Sequence, residues 1–170
     1  DGEILVSGDL TMTGYWNNPD ATAETLRDGW VHTGDIGHID DDGHLVITDR
    51  KKDIIVNSGG DNVAPQRVEG IICMEPEIAQ AIVYGDKRPH LVALLVPDDG
   101  WLKEWADTTD VSGDLSALRD NPELIKALST TMERVNLKLS TIEKIRRFIL
   151  ASEPFSIENG QLTPTMKGRR

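Results

Sequence analysis

A run of charged residues at 49–53 divides this chain into two segments whose residue patterns predict different structures. Before the run, short apolar stretches alternate with Gly and Asp, which is typical of β-strands joined by tight turns. After it, apolar residues recur at helical spacing. We therefore predict an α+β chain, with a small β-rich piece over 1–52. A compact domain over 53–170 follows, in which helices pack against a three-stranded sheet.

In the first segment, Asp-Gly pairs mark the turns, because they supply the positive φ that tight hairpins require. A short helix is predicted over Pro19–Leu26. The predicted strands are Ile4–Val6, Gly29–His32, Ile36–Ile39 and Leu45–Thr48.

The second segment alternates strands and helices. Asn121 and Pro122 are typical of a helix start, and the apolar stripe that follows predicts a helix with one buried face. That stripe consists of Leu124, Leu128, Met132, Val135 and Leu139. The remaining predictions are strands at 54–56, 78–84, 91–96 and 146–151, a helix starting at Pro65, a polar loop at 111–116 and an exposed tail at 158–170.

The charge and the cysteine content argue against several classes of protein. The net charge of −11 argues against a nucleic-acid binder, since neutralising phosphates requires clustered Lys and Arg. Cys73 is the only cysteine, so no intrachain disulfide can form, which fits a reducing cytoplasm. We interpret Cys73 as a small core residue. No apolar run reaches the roughly 20 residues of a membrane span. We expect a cytoplasmic protein without an integral membrane segment, and leave peripheral membrane attachment open.

Three polar residues, far apart in the sequence, have side chains suited to a nucleotide. Asp35 follows Thr33-Gly34, where glycine admits a ligand and a carboxylate can accept both ribose hydroxyls. Arg50 carries a guanidinium that matches phosphate in two-point geometry. Lys167 is a mobile point charge in the tail. Each taken alone is more often a turn, a solvated charge or a solubilising residue, and the glycine loop at 57–62 is equally unspecific.

Taken in order, five stretches resemble motifs of the adenylate-forming superfamily, which includes acyl-CoA synthetases, luciferases and peptide-synthetase adenylation domains. The stretch ending in Lys167 looks most like long-chain fatty acyl-CoA synthetases. The stretches are Gly2–Ile4 with Gly14–Asn17 and Thr22–Leu26, Asp28–Asp35, Gly43–Ile55, Ser58–Pro65 with Val68-Glu69, and Leu162–Lys167.

The resemblance implies a role for each matching position. Asp35 would hold the ribose hydroxyls of ATP, and Arg50 would contact ribose and phosphate. Lys167 would stabilise charge as the acid carboxylate attacks the α-phosphate. Lys52 stands at the family's hinge residue. The loop Ser58, Gly59 and Gly60 would line the pantetheine channel for CoA after the small domain has rotated.

The resemblance also implies substrates and partners. The substrates would be a fatty acid, ATP with Mg²⁺, and CoA. The partner would be the chain's own N-terminal domain, with residues 1–52 as the end of that large domain and 53–170 as the mobile domain. The family's phosphate-binding loop does not occur in this sequence, so we expect this piece alone to be inactive.

The sequence differs from the family pattern at one further position, and two alternative functions remain open. Asp49 occupies a position where the family often has glycine. One alternative is an aryl- or amino-acid-adenylating enzyme of the same superfamily. The other is a non-catalytic binding module that keeps the fold.

Overall fold

The chain divides into two compact units, Asp1–Ile54 and Ile55–Arg170, in a computed structural model. The structure describes residues 2–164 and 168–169. Within those residues, no helix is long and apolar enough to cross a membrane.

The first unit is built on one four-stranded antiparallel sheet. Strand β3 pairs with all the others in it. Helix α1 starts after Asn18, whose side chain accepts a hydrogen bond from the Ala21 amide. The elements are β1 (Glu3–Val6), α1 (Pro19–Thr25), β2 (Leu26–Arg27), β3 (Trp30–Ile39) and β4 (Leu45–Arg50).

Strand β3 corrects the prediction of two separate strands around Thr33-Gly34-Asp35. These residues lie inside one continuous strand. The pairing with β1 shifts register between Glu3 and Leu5, and Gly34 has a φ of +71°. The glycine therefore forms a bulge within the ladder, where the sequence pattern had indicated a break.

The second unit contains the predicted three-stranded sheet, in the order β7-β8-β9. Strands β7 (Ile78–Tyr84) and β8 (Leu91–Pro97) form the predicted antiparallel hairpin, and β9 (Ile145–Leu150) runs parallel to β8. A separate two-stranded sheet joins β5 (Ile55–Val56) to β6 (Asn62–Val63).

Helices supply much of the core against this sheet. The whole predicted stripe of α5 (Pro122–Lys138), together with Leu139, is buried. Asn121 caps α5 by accepting hydrogen bonds from the amides of Glu123 and Leu124. Helix α2 (Pro65–Ile72) adds Val68 and Ile72 to the same apolar cluster.

Two helices were not predicted. Helix α3 (Asp99–Thr109) starts at Asp98, which accepts bonds from the amides of Gly100 and Trp101. Leu102 is the one buried residue of this helix, because the sequence of the helix has no clear apolar stripe. The one-turn α4 (Leu115–Leu118) falls at the end of the predicted polar loop.

The prediction that Cys73 is a core residue is wrong. Cys73 is exposed, because α2 ends at Ile72 and the cysteine falls beyond its buried face. Although the residue as a whole is exposed, its sulfur is partly shielded from solvent, and this shielding and the charge of Glu69 raise the pKa of the thiol, which agrees with an unreactive thiol.

Most described residues of the tail are exposed, as predicted, but Leu162 packs into the core. Leu162 is buried and bridges to Gly168, which lies against Ile82. The Arg169 amide donates to the Gln161 carbonyl over 2.9 Å. Such long-range packing leaves no periodic signal in the sequence.

Candidate functional site

Asp35, inside β3, and Arg50, the last residue of β4, form a pair across the two strands. They are partners in the ladder, and Arg50 Nε donates to Asp35 Oδ1 over 2.8 Å. The two side chains remain 24% and 48% exposed, so both are open to a ligand. The structure thus brings together the two residues predicted to bind a nucleotide, from positions 15 residues apart.

Glu3 holds the neighbouring backbone in place. Its Oε2 accepts from Lys51 Nζ at 2.9 Å and lies 3.3 Å from His32 Nδ1, while its Oε1 accepts from the Gly34 amide. The bond from Lys51 is the main reason why the pKa of Glu3 lies below its usual value. Glu3 therefore stays ionised and fixes the bulge that precedes Asp35.

Thr33 adds a second set of bonds to the same bulge. Its hydroxyl donates to the Ile4 carbonyl over 2.8 Å and accepts from the Asp35 amide over 3.1 Å. Sequence reasoning singled out Thr33-Gly34-Asp35 but did not assign Glu3 a role. The signal was present, because Glu3 belongs to a stretch that resembles the family.

A cleft of about 840 Å³ opens beside this pair in the first unit. Four cationic side chains line it, against two carboxylates, so its field favours an anionic ligand. Lys52, the predicted hinge residue, is among them. The charged lining residues are Arg27, Arg50, Lys51, Lys52, Glu3 and Glu24.

The glycine loop lies in the second unit, between β5 and β6. Ser58, Gly59 and Gly60 are exposed, and Gly60 has a φ of +86°, which favours glycine. The backbone amides of this loop are already used within the protein. The amides at 58–61 all donate to acceptors within the same unit. The loop therefore offers a ligand its shape and its exposed backbone, not a cluster of amide donors.

Two further points concern Lys167 and metal binding. Lys167 lies outside the described residues. Within the described part of the chain, no three His, Cys, Asp or Glu side chains converge as metal ligands.

Proteins similar to this chain include long-chain-fatty-acid–CoA ligases. Long-chain-fatty-acid–CoA ligase FadD15 of Mycobacterium tuberculosis is 43% identical over an alignment of 175 positions, which covers all of this chain and 29% of that protein. Human long-chain-fatty-acid–CoA ligase 6 is 39% identical over an alignment of 174 positions, which again covers all of this chain and 25% of that protein. The chain thus spans less than a third of these relatives.

Two solved structures that are similar to this chain contain a bound adenine nucleotide. The A-PCP didomain of carboxylic acid reductase from Segniliparus rugosus, in complex with AMP, matches with a TM-score of 0.80 at 28% identity, over 99% of this chain and 22% of that one. O-succinylbenzoate–CoA synthetase from Bacillus subtilis, in complex with ATP and magnesium, matches with a TM-score of 0.60 at 26% identity, over 88% of this chain and 26% of that one.

The family assignment comes from a direct match. The model of the AMP-binding enzyme C-terminal domain covers residues 52–168, more than half of the chain. The chain therefore belongs to the AMP-binding enzymes, and residues 52–168 form their C-terminal domain.

Proposed function

We propose that this chain is the C-terminal part of an ATP-dependent acyl-CoA synthetase that activates long-chain fatty acids. The observation that carries the proposal is the Asp35–Arg50 pair, open to ligand beside a cationic cleft. The similarity of the whole chain to long-chain-fatty-acid–CoA ligases supports the choice of acid. In this proposal residues 1–52 complete a large nucleotide-binding domain, residues 53–170 form a mobile domain, and the enzyme works in the cytoplasm.

The first half-reaction makes an acyl-adenylate from the acid and ATP, which is bound with Mg²⁺ as the substrate complex. Asp35 accepts the ribose hydroxyls, and Arg50 contacts ribose and phosphate. A carboxylate oxygen of the acid attacks the α-phosphorus, and pyrophosphate leaves. Lys167 stabilises the negative charge that develops at the phosphate, as a positioned cation does in a site shielded from water.

The second half-reaction makes the thioester. The domain rotates about Lys52, which withdraws Lys167 and brings Ser58, Gly59 and Gly60 to the pantetheine channel. The CoA sulfur attacks the carbonyl carbon of the acyl-adenylate and loses its proton. The bond from that carbon to the AMP oxygen breaks, and AMP leaves. One site can thus serve both steps, because the rotating domain exchanges the groups that face the substrate.

Lys167→Ala in the complete enzyme tests this proposal. Acyl-adenylate formation, followed by pyrophosphate exchange with palmitate, is expected to fall about 100- to 1000-fold, the usual loss when one charge-stabilising group is removed. Thioester formation from supplied palmitoyl-adenylate should change only a few-fold. Lys103→Ala, which removes an exposed lysine on α3, is the matched control and should alter neither rate.

Two outcomes contradict the proposal. Equal loss of both half-reactions in Lys167→Ala would exclude a lysine that serves one step only. Faster adenylate formation from acetate or an aryl acid than from palmitate would exclude a long-chain fatty acid as the substrate.

A further inference from the structure

We infer that Asn57 is a positioning residue, whose side chain holds the glycine loop in the shape that the thioester step requires. The inference rests on the proposed function, since it assigns a support to the loop that this function places beside CoA. It concerns the second half-reaction alone.

The Asn57 side chain spans the loop from its first residue to its last. Oδ1 accepts from the Gly59 amide at 2.8 Å and from the Asp61 amide at 2.9 Å. Nδ2 donates to Asp61 Oδ2 over 3.0 Å. The carboxamide therefore uses both its acceptor and its donor to close one short loop.

The Asn57 backbone closes the same loop. Its carbonyl accepts from the Gly60 amide at 3.0 Å, and its amide donates to the Asp61 carbonyl over 3.1 Å. Five hydrogen bonds thus converge on one residue. Because glycine loses more conformational freedom on ordering than any other residue, an exposed glycine pair stays in one conformation only if such bonds offset that loss.

The base of the loop is fixed by the turn between β7 and β8. Lys87 donates its amide to the Val56 carbonyl over 2.7 Å, and the Ser58 amide donates to the Arg88 carbonyl over 3.0 Å. Asp86 Oδ1 lies 3.3 Å from the Val56 amide. The sheet thus supports the base of the loop, and Asn57 determines the course of the glycines beyond it.

This division gives Asn57 a selective effect. Loss of its carboxamide leaves the Gly59 and Asp61 amides without their acceptor, so the glycines can leave their positions while the sheet below stays folded. A misplacement of about 1 Å in a substrate-positioning element can cost about 100-fold in rate. The adenylate step does not use this loop, so its rate should remain.

Three variants of the complete enzyme test the inference. Asn57→Ala is expected to slow thioester formation at least ~10-fold, through kcat and not only through KM for CoA, and to change adenylate formation less than ~2-fold. Asn57→Asp should also slow it, because two carboxylates would then face each other. The exchanged pair Asn57→Asp with Asp61→Asn restores an acceptor for the amides and a donor for its neighbour. It should recover thioester formation to within ~3-fold of the parent rate.

Hydrogen exchange provides a readout independent of catalysis. In this chain, the Gly59 and Asp61 amides should exchange faster in Asn57→Ala, whereas amides of β7 and β8 should keep their protection. Failure of the exchanged pair to recover, parallel loss of both half-reactions, or unchanged exchange at Gly59 and Asp61 would each overturn the inference. If Lys167→Ala separates the half-reactions and Asn57→Ala does not, this inference alone fails. If Lys167→Ala does not separate them, the proposed function fails as well.

Discussion

The ion pair between Asp35 and Arg50 is too exposed to contribute much to the free energy of unfolding. An ion pair this exposed contributes about 0–1 kcal/mol to the free energy of unfolding. Their bond, the position of Arg50 at the end of β4 and the cationic cleft beside the pair support the proposal that these residues bind a ligand.

Asp35→Ala separates these two roles. The free energy of unfolding should fall by less than ~1 kcal/mol. ATP binding to the complete enzyme should weaken roughly 10- to 100-fold, since hydrogen bonds to a charged group contribute about 1.5–3 kcal/mol. Denaturant unfolding and nucleotide titration measure the two effects. Asp120→Ala, which breaks the exposed contact with Arg119, is the control and should change neither quantity. If Asp35→Ala lowered the free energy of unfolding by several kcal/mol and left the affinity for ATP intact, the pair would have a structural role and not a ligand-binding one.

Helices α2 and α5 are joined by a network of charges around Glu75, just after α2. Glu75 is buried and accepts from Lys138 Nζ at 2.7 Å and from Arg134 Nη2 at 2.9 Å. Arg134 also donates to Glu77 over 2.6 Å. The bonds from Lys138 and then Arg134 lower the pKa of Glu75. A carboxyl with a depressed pKa stabilises the fold above its unfolded pKa, and this contribution is lost as the pH falls through its folded pKa.

Glu75→Gln should therefore have an effect that depends on pH. At pH 7 it should lower the free energy of unfolding by about 1–3 kcal/mol, because two cations lose a charged acceptor. The difference from the parent chain should begin to shrink as the pH falls below the ordinary pKa of a glutamate, about 4.3, and should vanish below the lower folded pKa, where the parent's carboxyl is protonated in both states. Urea unfolding at several pH values measures it, with the exposed Glu153→Gln as the control. A difference that stays constant with pH would contradict this account.

The same elements show how far the sequence predicts the structure. Helix α5 was predicted from its cap and stripe, because both are local signals. Helix α3 buries one residue fully and packs Trp101 and Trp105 only partly, so its pattern was too weak. The burial of Leu162 depends on contacts that no local pattern encodes. In the site, Asp35 and Arg50 were found through motifs. Asn57 was missed, because an asparagine at the start of a loop of Ser and Gly is also an ordinary turn signal.

At the scale of the molecule, the segment that ends the first unit bears on the proposed domain rotation. The Asp53 and Ile54 amides both donate to the Arg50 carbonyl, over 2.9 and 3.2 Å, and the Lys51 amide donates to the Gly34 carbonyl over 2.7 Å. These bonds form a turn around Lys52, close to the unit boundary at Ile54. A rotation that preserves the sheet of the first unit must then be absorbed by a few backbone dihedrals near Lys52.

Lys52→Pro restricts those dihedrals without removing any catalytic group. Proline fixes its own φ near −65° and keeps the preceding residue out of the helical region. If Lys52 is the hinge, the two half-reactions of the complete enzyme should fall unequally, by at least ~10-fold, because only one domain arrangement remains accessible. Lys52→Ala removes the same charge from the cleft but leaves the backbone free, so it should slow both half-reactions to a similar, smaller extent. Single-turnover assays of each step make the comparison. An equal effect of Lys52→Pro on both steps, or one matched by Lys52→Ala, would place the rotation elsewhere in the chain.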